Sequence, residues 1–227
     1  MTENEAREEI VRVGRSLFAR GLVHATAGNI SVRLADGGFL ITPTDACLGF
    51  LDPSRLARLD ADLQQTGGDR ASKTIALHAR IYASARRFDA DTACVIHSHS
   101  THCVALTLDA AGPEELLPAL TPYFVMKVGH VPVIPYHRPG APEAVEAVAQ
   151  AIESHGARGT PIRAVMLERL GPNVWHDTPA AAMAVLEELE ETARLWWLAG
   201  ARAGGDRPAP LAEARIDELR RQFGARW

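Results

Sequence analysis

The sequence has few cysteines and no long apolar segment. Three cysteines are spread over 227 residues, at positions 47, 94 and 103, and no two of them form a Cys-x-x-Cys pair. An odd number without that spacing argues against a disulfide framework and favours reduced thiols in the cytosol. No apolar run approaches the roughly 20 residues that cross a bilayer, and the polar start MTENEAREEI is unlike a signal peptide. We expect a cytoplasmic protein without a membrane as partner.

A strong charge of either sign is also missing. The formal net charge is -4, which gives no reason to expect nucleic acid or an anionic membrane as a partner. Hydrophobic residues make up 47% and charged residues 23% of the chain, an ordinary balance for a globular protein. The length suits one sizeable domain or two small ones, and neither an internal repeat nor a clear boundary divides it. We therefore expect a single domain over residues 1–227.

Helical and strand patterns alternate along the chain. Apolar residues at helical spacing, or a proline in the first turn, predict helices over residues 3–20, 72–85, 142–155 and from 179 onward. Short β-branched and apolar runs predict a hairpin around Asp36-Gly37-Gly38, strands over residues 92–100 and 128–136, and a strand pair around Gly171-Pro172. A mixed or antiparallel sheet flanked by helices fits this order.

Histidines are concentrated in the stretch DTACVIHSHSTHC, residues 91–103, which holds three of the nine in the chain. In a strand, alternate side chains point the same way, so His97 and His99 would share one face and Ser98 would point to the other. Two imidazoles a few Å apart suit one divalent metal. From the residues alone, hydrogen-bonded histidines at a strand end fit equally well. His102 lies beyond the strand and suits a supporting or core position.

Several motifs in matching order resemble the class II aldolase/adducin superfamily. They are AGNISVR, ITPT, LHARIY, VIHSHSTH, GPNV and LEELEETARL, and they cover nearly the whole chain. Within the superfamily, TPYFVMKVGHVPVIPYHRPG and LEELEETARL are most similar to the 3-oxo-tetronate 4-phosphate decarboxylases. The resemblance implies an α/β fold, a single three-layer α/β/α domain with a central, mostly antiparallel sheet. It also implies a homotetramer acting on a small-molecule substrate.

The same resemblance implies metal chemistry. In the family, three histidines hold a divalent metal that stabilises the enediolate formed when a C–C bond breaks, and an acidic residue acts as a ligand or proton carrier. His97 and His99 match two of these histidines. Zinc is the metal we expect first, with iron, manganese and cobalt as alternatives.

Two positions depart from the family pattern at the chemistry itself. The third histidine normally lies in an Asn-His-Gly segment, where this chain has Arg169, Leu170 and Gly171, and leucine cannot bind a metal. The family's acid normally stands four residues before the histidine of the LH helix. Counting back from His78 gives Thr74, which cannot act as a carboxylate base.

The family's phosphate pocket is matched in part. Asn29, Ser31, Thr44 and the pair Ser72-Lys73 match its substrate-binding positions. A glycine usually follows the threonine, and here Asp45 takes its place. If that carboxylate points inward it would repel a phosphate dianion, and if it is a turn residue it would lie in solvent.

Other residues could complete the site. Glu168 lies two residues before Leu170 on a predicted strand and so would face the same side, which gives a set of two histidines and one carboxylate. His137 is a second candidate. Without a carboxylate at position 74, proton transfer would fall to Tyr123, His137 or a metal-bound water. Arg138 lies in the best-matched segment and could contact the substrate.

These residues support one main hypothesis and two alternatives. The main one is a metal-dependent lyase that cleaves a C–C bond, by retro-aldol reaction or decarboxylation, in a small oxygenated acid or ketone. The first alternative is an Fe(II)-dependent oxygenase that uses the set of two histidines and one carboxylate. The second is a non-catalytic, adducin-like binding protein whose site has lost its chemistry.

Overall fold

The protein is described by a computed structural model that covers residues 1–108, 114–201 and 207–227. Eight strands form one sheet: β1 (Asn29–Arg33), β2 (Phe39–Ile41), β3 (Ala57–Leu59), β4 (Gln65–Gly67), β5 (Cys94–His97), β6 (Val133–Ile134), β7 (Ala164–Leu167) and β8 (Gly171–His176). The α-helices are α1 (Glu3–Ala19), α2 (Ile75–Ala85), α3 (Thr101–Ala105), α4 (Pro142–Ala157), α5 (Pro179–Gly200) and α6 (Glu213–Phe223).

The strand order across the sheet is β4-β3-β2-β1-β5-β8-β7-β6. Every neighbouring pair is antiparallel except β6 and β7, which are parallel. This is the mostly antiparallel sheet that the sequence predicts. Strand β5, which ends at His97, lies near the middle of it.

Each face of the sheet is covered by helices. On β5, Cys94 and Ile96 pack in a core with residues of α1 and α5, whereas Val95 packs in a second core with residues of α2 and α4. Because side chains alternate along a strand, His97 lies on the same face as Val95. The three-layer α/β/α prediction is therefore confirmed, and His97 faces the α2 and α4 layer.

Two helix starts are capped by nearby side chains. Thr2 and Glu5 form a reciprocal capping box at the start of α1, which satisfies two backbone donors of the first turn. At α5, the side chain of Thr178 accepts a hydrogen bond from the backbone N–H of Ala181, and Pro179 occupies the first turn. Both arrangements join residues three apart in the sequence.

Three predicted strands differ from the structure in extent. The strand predicted over residues 92–100 ends at His97, and that predicted over 128–136 is reduced to Val133–Ile134. The turn between β7 and β8 spans residues 168–170, so the prediction that Glu168 lies on a strand is wrong. Arg169 has a φ of 61° in that turn, a left-handed conformation that ends the extended backbone before Gly171.

Within the described ranges, no helix has the length and apolar character needed to span a membrane. The extent of the domain, residues 1–227, stays a prediction.

Candidate functional site

A pocket of about 380 Å³ opens at the end of β5 where His97 lies. Its walls come from the loops before β1, after β2, before α2 and before α4, and from the β7–β8 turn. Most of the predicted site residues line it, namely Asn29, Thr44, Asp45, Ser72, Lys73, Thr74, His97, His99, His137, Arg138 and Glu168, together with Leu170. The fold thus brings together residues that lie up to about 140 positions apart in the sequence.

The two histidines of the His-x-His motif are close neighbours in this pocket. Their ring centroids lie 4.9 Å apart. The Nδ1 atom of His97 lies 3.1 Å from the carbonyl oxygen of Pro172, and since a carbonyl only accepts, Nδ1 carries the proton and Nε2 keeps a free lone pair. This arrangement, a ring oriented by a backbone carbonyl, is the usual one for a metal-binding histidine.

Burial keeps both imidazoles neutral. It lowers the pKa of His97 to about 3, an effect that the neighbouring His99 strengthens. It also lowers the pKa of His99, with a further contribution from His24, whose ring centroid lies 6.2 Å away. Neutral imidazole is the form that binds metals. The two side chains are therefore ready to act as ligands at neutral pH.

Backbone contacts with β8, rather than strand alternation, place His99 beside His97. His99 lies two residues beyond the end of β5. The N–H of Ser98 donates to the carbonyl of Pro172 at 3.1 Å. Gly171 has a φ of 141°, and a Cβ there would lie only 1.9 Å from the oxygen of Ser98. Only glycine allows the two backbones to approach this closely, and this contact sets the course of the chain through residues 98 and 99.

The remaining metal donors of the family are not assembled. In the described parts of the chain, no group of three His, Cys, Asp or Glu side chains could hold a metal ion. Leu170 lines the pocket but has no donor atom. One carboxylate oxygen of Glu168 accepts the N–H of Tyr136 at 2.8 Å, and the other lies 3.6 Å from Nε of Arg169. Two imidazoles therefore fit a divalent ion, and a third protein ligand is missing.

The position of the missing acid is occupied by a hydroxyl group. The side chains of Thr74 and Ser72 are hydrogen-bonded to each other at 2.9 Å, directly before α2. The pocket wall near the start of α2 is therefore polar and uncharged, apart from Lys73.

A buried hydrogen-bond network lies behind this wall, and sequence reasoning did not foresee it. The hydroxyl of Tyr82 donates to the backbone carbonyl of Ser31, so it can only accept from the Ser31 hydroxyl, 2.9 Å away. That hydroxyl's one proton is then used, and Nδ1 of His78, 2.7 Å from it, must be the donor. Nε2 of His78 is left as a buried lone pair with no partner in the described chain, and burial lowers the pKa of His78 to about 3. Ser31, predicted to bind substrate, belongs to this network and does not line the pocket.

Part of the pocket lining has the character of an anion site. Lys73, Thr44 and Asn29 line it with Asp45. Asp45 is exposed and has a φ of 58°, the left-handed conformation that a glycine adopts most readily. The chain therefore keeps the backbone shape expected of the family glycine and places a carboxylate at the pocket rim.

Tyr123 is the one predicted catalytic residue that the structure does not bring to the pocket. Its side chain is 62% exposed and it stands just before the π-helical turn Phe124–Val128. His137 and Arg138 do line the pocket, on the loop between β6 and α4. The roles of all these residues stay predictions.

Comparison with known proteins supports the same assignment. The family model described as Class II Aldolase and Adducin N-terminal domain matches residues 8–197. A 3-oxo-tetronate 4-phosphate decarboxylase of Cupriavidus necator is 50% identical over 227 residues, which is 100% of this chain and 99% of that protein. One from Escherichia coli K12 is 38% identical over 220 residues, covering 96% of each chain.

Solved structures agree with the sequence relatives. The crystal structure of YgbL from Escherichia coli superposes with a TM-score of 0.82 at 36% identity and covers 96% of this chain and 99% of that one. L-fuculose-1-phosphate aldolase from Thermus thermophilus gives a TM-score of 0.69 at 27% identity, covering 87% of this chain and 98% of that one. The chain therefore belongs to the class II aldolase and adducin family, and it is an enzyme of the lyase class.

Proposed function

We propose that this protein is a C–C lyase that decarboxylates a short, phosphorylated 3-oxo sugar acid. One observation carries the proposal: a single pocket is lined both by two neutral imidazoles, His97 and His99, and by the cationic and hydroxyl groups of Lys73, Thr44 and Ser72. A substrate with an oxo acid at one end and a phosphate at the other matches both sets of groups. The relative from Cupriavidus necator is named for 3-oxo-tetronate 4-phosphate, a compound that contains both an oxo acid and a phosphate.

In this proposal each of these two sets of residues binds one end of the substrate. The phosphate would lie against Lys73, with hydrogen bonds from Thr44, Ser72 and Asn29, because a dianion needs both charge and donors. Arg138, at the mouth of the pocket, would attract the carboxylate. The oxo group would then face His97 and His99.

His97 and His99 would hold a divalent ion, His97 through its free Nε2. Zinc is our first choice, with iron, manganese and cobalt as alternatives. Such an ion, when bound, polarises an oxo group as a Lewis acid.

The uncharged position 74 favours decarboxylation over retro-aldol cleavage. A retro-aldol reaction begins with removal of a hydroxyl proton by a base, and Thr74 cannot serve as one. Decarboxylation needs no such base: a lone pair of the carboxylate forms the second C=O bond of CO₂, the bond to the carboxyl carbon breaks, and the pair of that bond passes to the neighbouring carbon and the oxo group. One proton must then be added to that carbon. His137, which lines the pocket, or water would deliver it.

The direct test is to supply 3-oxo-tetronate 4-phosphate to the purified protein after incubation with each of the four metals. Loss of CO₂ from that acid leaves dihydroxyacetone phosphate, so both products can be measured. Activity should require His97 and should fall when Lys73→Ala removes the phosphate charge, mainly through a higher KM. Absence of CO₂ release with every metal would overturn the proposal.

The two alternatives have less support. The oxygenase hypothesis needs Glu168 as a third ligand, and that carboxylate is instead bonded to the backbone of Tyr136. The non-catalytic hypothesis is set aside because the curated relatives are named as enzymes. A homotetramer in the cytoplasm completes our proposal, on the basis of the family resemblance.

A further inference from the structure

The short helix α3 begins two residues after His99, and its start is capped in an unusual way. The first N–H groups of a helix have no partner inside the helix, and a side chain at the preceding position normally accepts from them. Ser100 occupies that position but makes no such bond. Its hydroxyl is instead paired with that of Ser98 at 2.6 Å.

Glu190 of α5 takes over the capping. One of its carboxylate oxygens accepts the backbone N–H of His102 at 2.9 Å and lies 2.8 Å from Nδ1 of the same residue. The other oxygen accepts the N–H of Cys103 at 3.0 Å. Glu190 is 8% exposed, so water competes little for these three bonds. Hydrogen bonds to an ionised carboxylate are stronger than those between neutral groups.

The segment that carries His99 is therefore held at both ends. On one side, Ser98 contacts the backbone of Gly171 and Pro172. On the other side, His102 and Cys103 are held by Glu190 from a helix 87 or more residues further along the chain. Between the two anchors, residues 99–101 have little freedom to move.

We infer that Glu190 is a positioning residue for the metal-binding histidine pair. It acts through α3: its carboxylate fixes the first turn of α3, and that turn fixes the backbone from which His99 reaches the pocket. Glu190 does not itself line the pocket. The inference rests on the proposed function in one respect only, the role of His97 and His99 as metal ligands. Through the buried carboxylate of Glu190, the motif LEELEETARL, residues 186–195, would contribute to the arrangement of the site.

The test measures the binding of zinc to the full chain, without substrate. Zinc affinity is measured by calorimetry for wild type, Glu190→Gln and Glu190→Asp, with the melting temperature of each variant. Glutamine has the size of glutamate, but its N–H₂ group would face one of the three N–H donors that the carboxylate accepts. We expect zinc affinity to fall about tenfold, a typical effect for outer partners of metal ligands. Aspartate keeps the charge on a shorter side chain and should restore part of the affinity.

Glu188→Gln is the matched control on the same helix. Glu188 is partly buried and accepts from the hydroxyls of Thr121 and Thr192, away from α3. Its variant should bind zinc within twofold of wild type, whatever its melting temperature. A Glu190→Gln variant that melts at a lower temperature but binds zinc like wild type would show a purely structural role and overturn the inference. So would an aspartate variant that binds zinc no better than the glutamine variant.

A second measurement separates this inference from the proposed function. If wild type binds zinc but releases no CO₂, the proposed reaction fails while the affinity comparison still decides the role of Glu190. If wild type binds no zinc, the ring ¹⁵N resonances of the metal-free protein are compared instead. Glu190→Gln should then shift the His99 signal and leave that of His155, on α4, unchanged. An unmoved His99 signal would overturn the inference.

Discussion

Replacing Leu170 by histidine should give the pocket the third imidazole that the family pattern contains. Leu170 lines the same pocket as His97 and His99, and its backbone is held in place, since its N–H donates to the carbonyl of Leu167 at 3.0 Å. The neighbouring Arg169 is anchored too, through its N–H to the hydroxyl of Thr107 at 2.9 Å. The change is therefore confined to a side chain.

The magnitude follows from two opposing effects. A structural zinc site with four ligands provides roughly 10–16 kcal/mol, or about 3 kcal/mol for each ligand, so the third imidazole should tighten zinc binding about 100-fold. Leu170 packs partly buried against the core beside α4, and loss of this apolar contact should cost about 1 kcal/mol without metal. The metal-free variant should then melt about 2–4 °C below wild type.

Calorimetry with zinc and thermal melts with and without zinc measure both effects. Leu170→Gln serves as the control, because it costs the same packing but adds no imidazole. The reasoning is refuted if Leu170→His folds and binds zinc within twofold of wild type. That result would show that position 170 does not face His97 and His99.

Three further predictions concern the rim, the core and the assembly. Asp45→Gly should strengthen binding of a phosphorylated sugar acid about tenfold, measured by calorimetry, because it removes a like charge and keeps the left-handed backbone; unchanged affinity would show that the carboxylate stays in solvent. His78, with a folded pKa of about 3 against about 6.5 unfolded, contributes stability that is present above pH 6.5 and is lost as the pH falls toward 3. Urea melts should show that roughly 2 kcal/mol of the free energy of unfolding is lost through this residue by pH 5. The His78→Gln variant should not show this loss. Equal slopes of stability against pH for the two proteins would contradict the prediction. Light scattering at micromolar concentration should give the mass of a tetramer, and a monomer mass would count against our proposed assembly.

The sequence predicted features that depend on neighbours along the chain. The start of α5 follows from Pro179, which suits the first turn of a helix. The hairpin between β1 and β2 follows from Asp36-Gly37-Gly38 in the same way. The family motifs then predicted the sheet, its helical layers and most of the pocket lining, since their order along the chain implies the same topology.

Features that depend on distant contacts were not predictable. Nothing local shows that β5 stops at His97, because the contact that diverts the chain is between Ser98 and Gly171, 73 positions apart. The left-handed turn at Arg169 removed Glu168 from its expected strand face, and arginine gives no sign of such a backbone. The Glu190 cap and the His78 network likewise join residues 47 to 88 positions apart. Hydrophobic periodicity describes one element at a time and does not report such pairs.

The contact between Gly171 and Ser98 also limits how the pocket can be redesigned. A Cβ on Gly171 would lie only 1.9 Å from the oxygen of Ser98. The backbone at the end of the β7–β8 turn therefore contacts the segment that carries His99 directly, with no side chain between them. A displacement of the turn backbone must pass directly to His99. Side chains on the turn, such as that of Leu170, can therefore be exchanged, whereas an insertion or deletion between β7 and β8 would move the turn and the segment that carries His99 together.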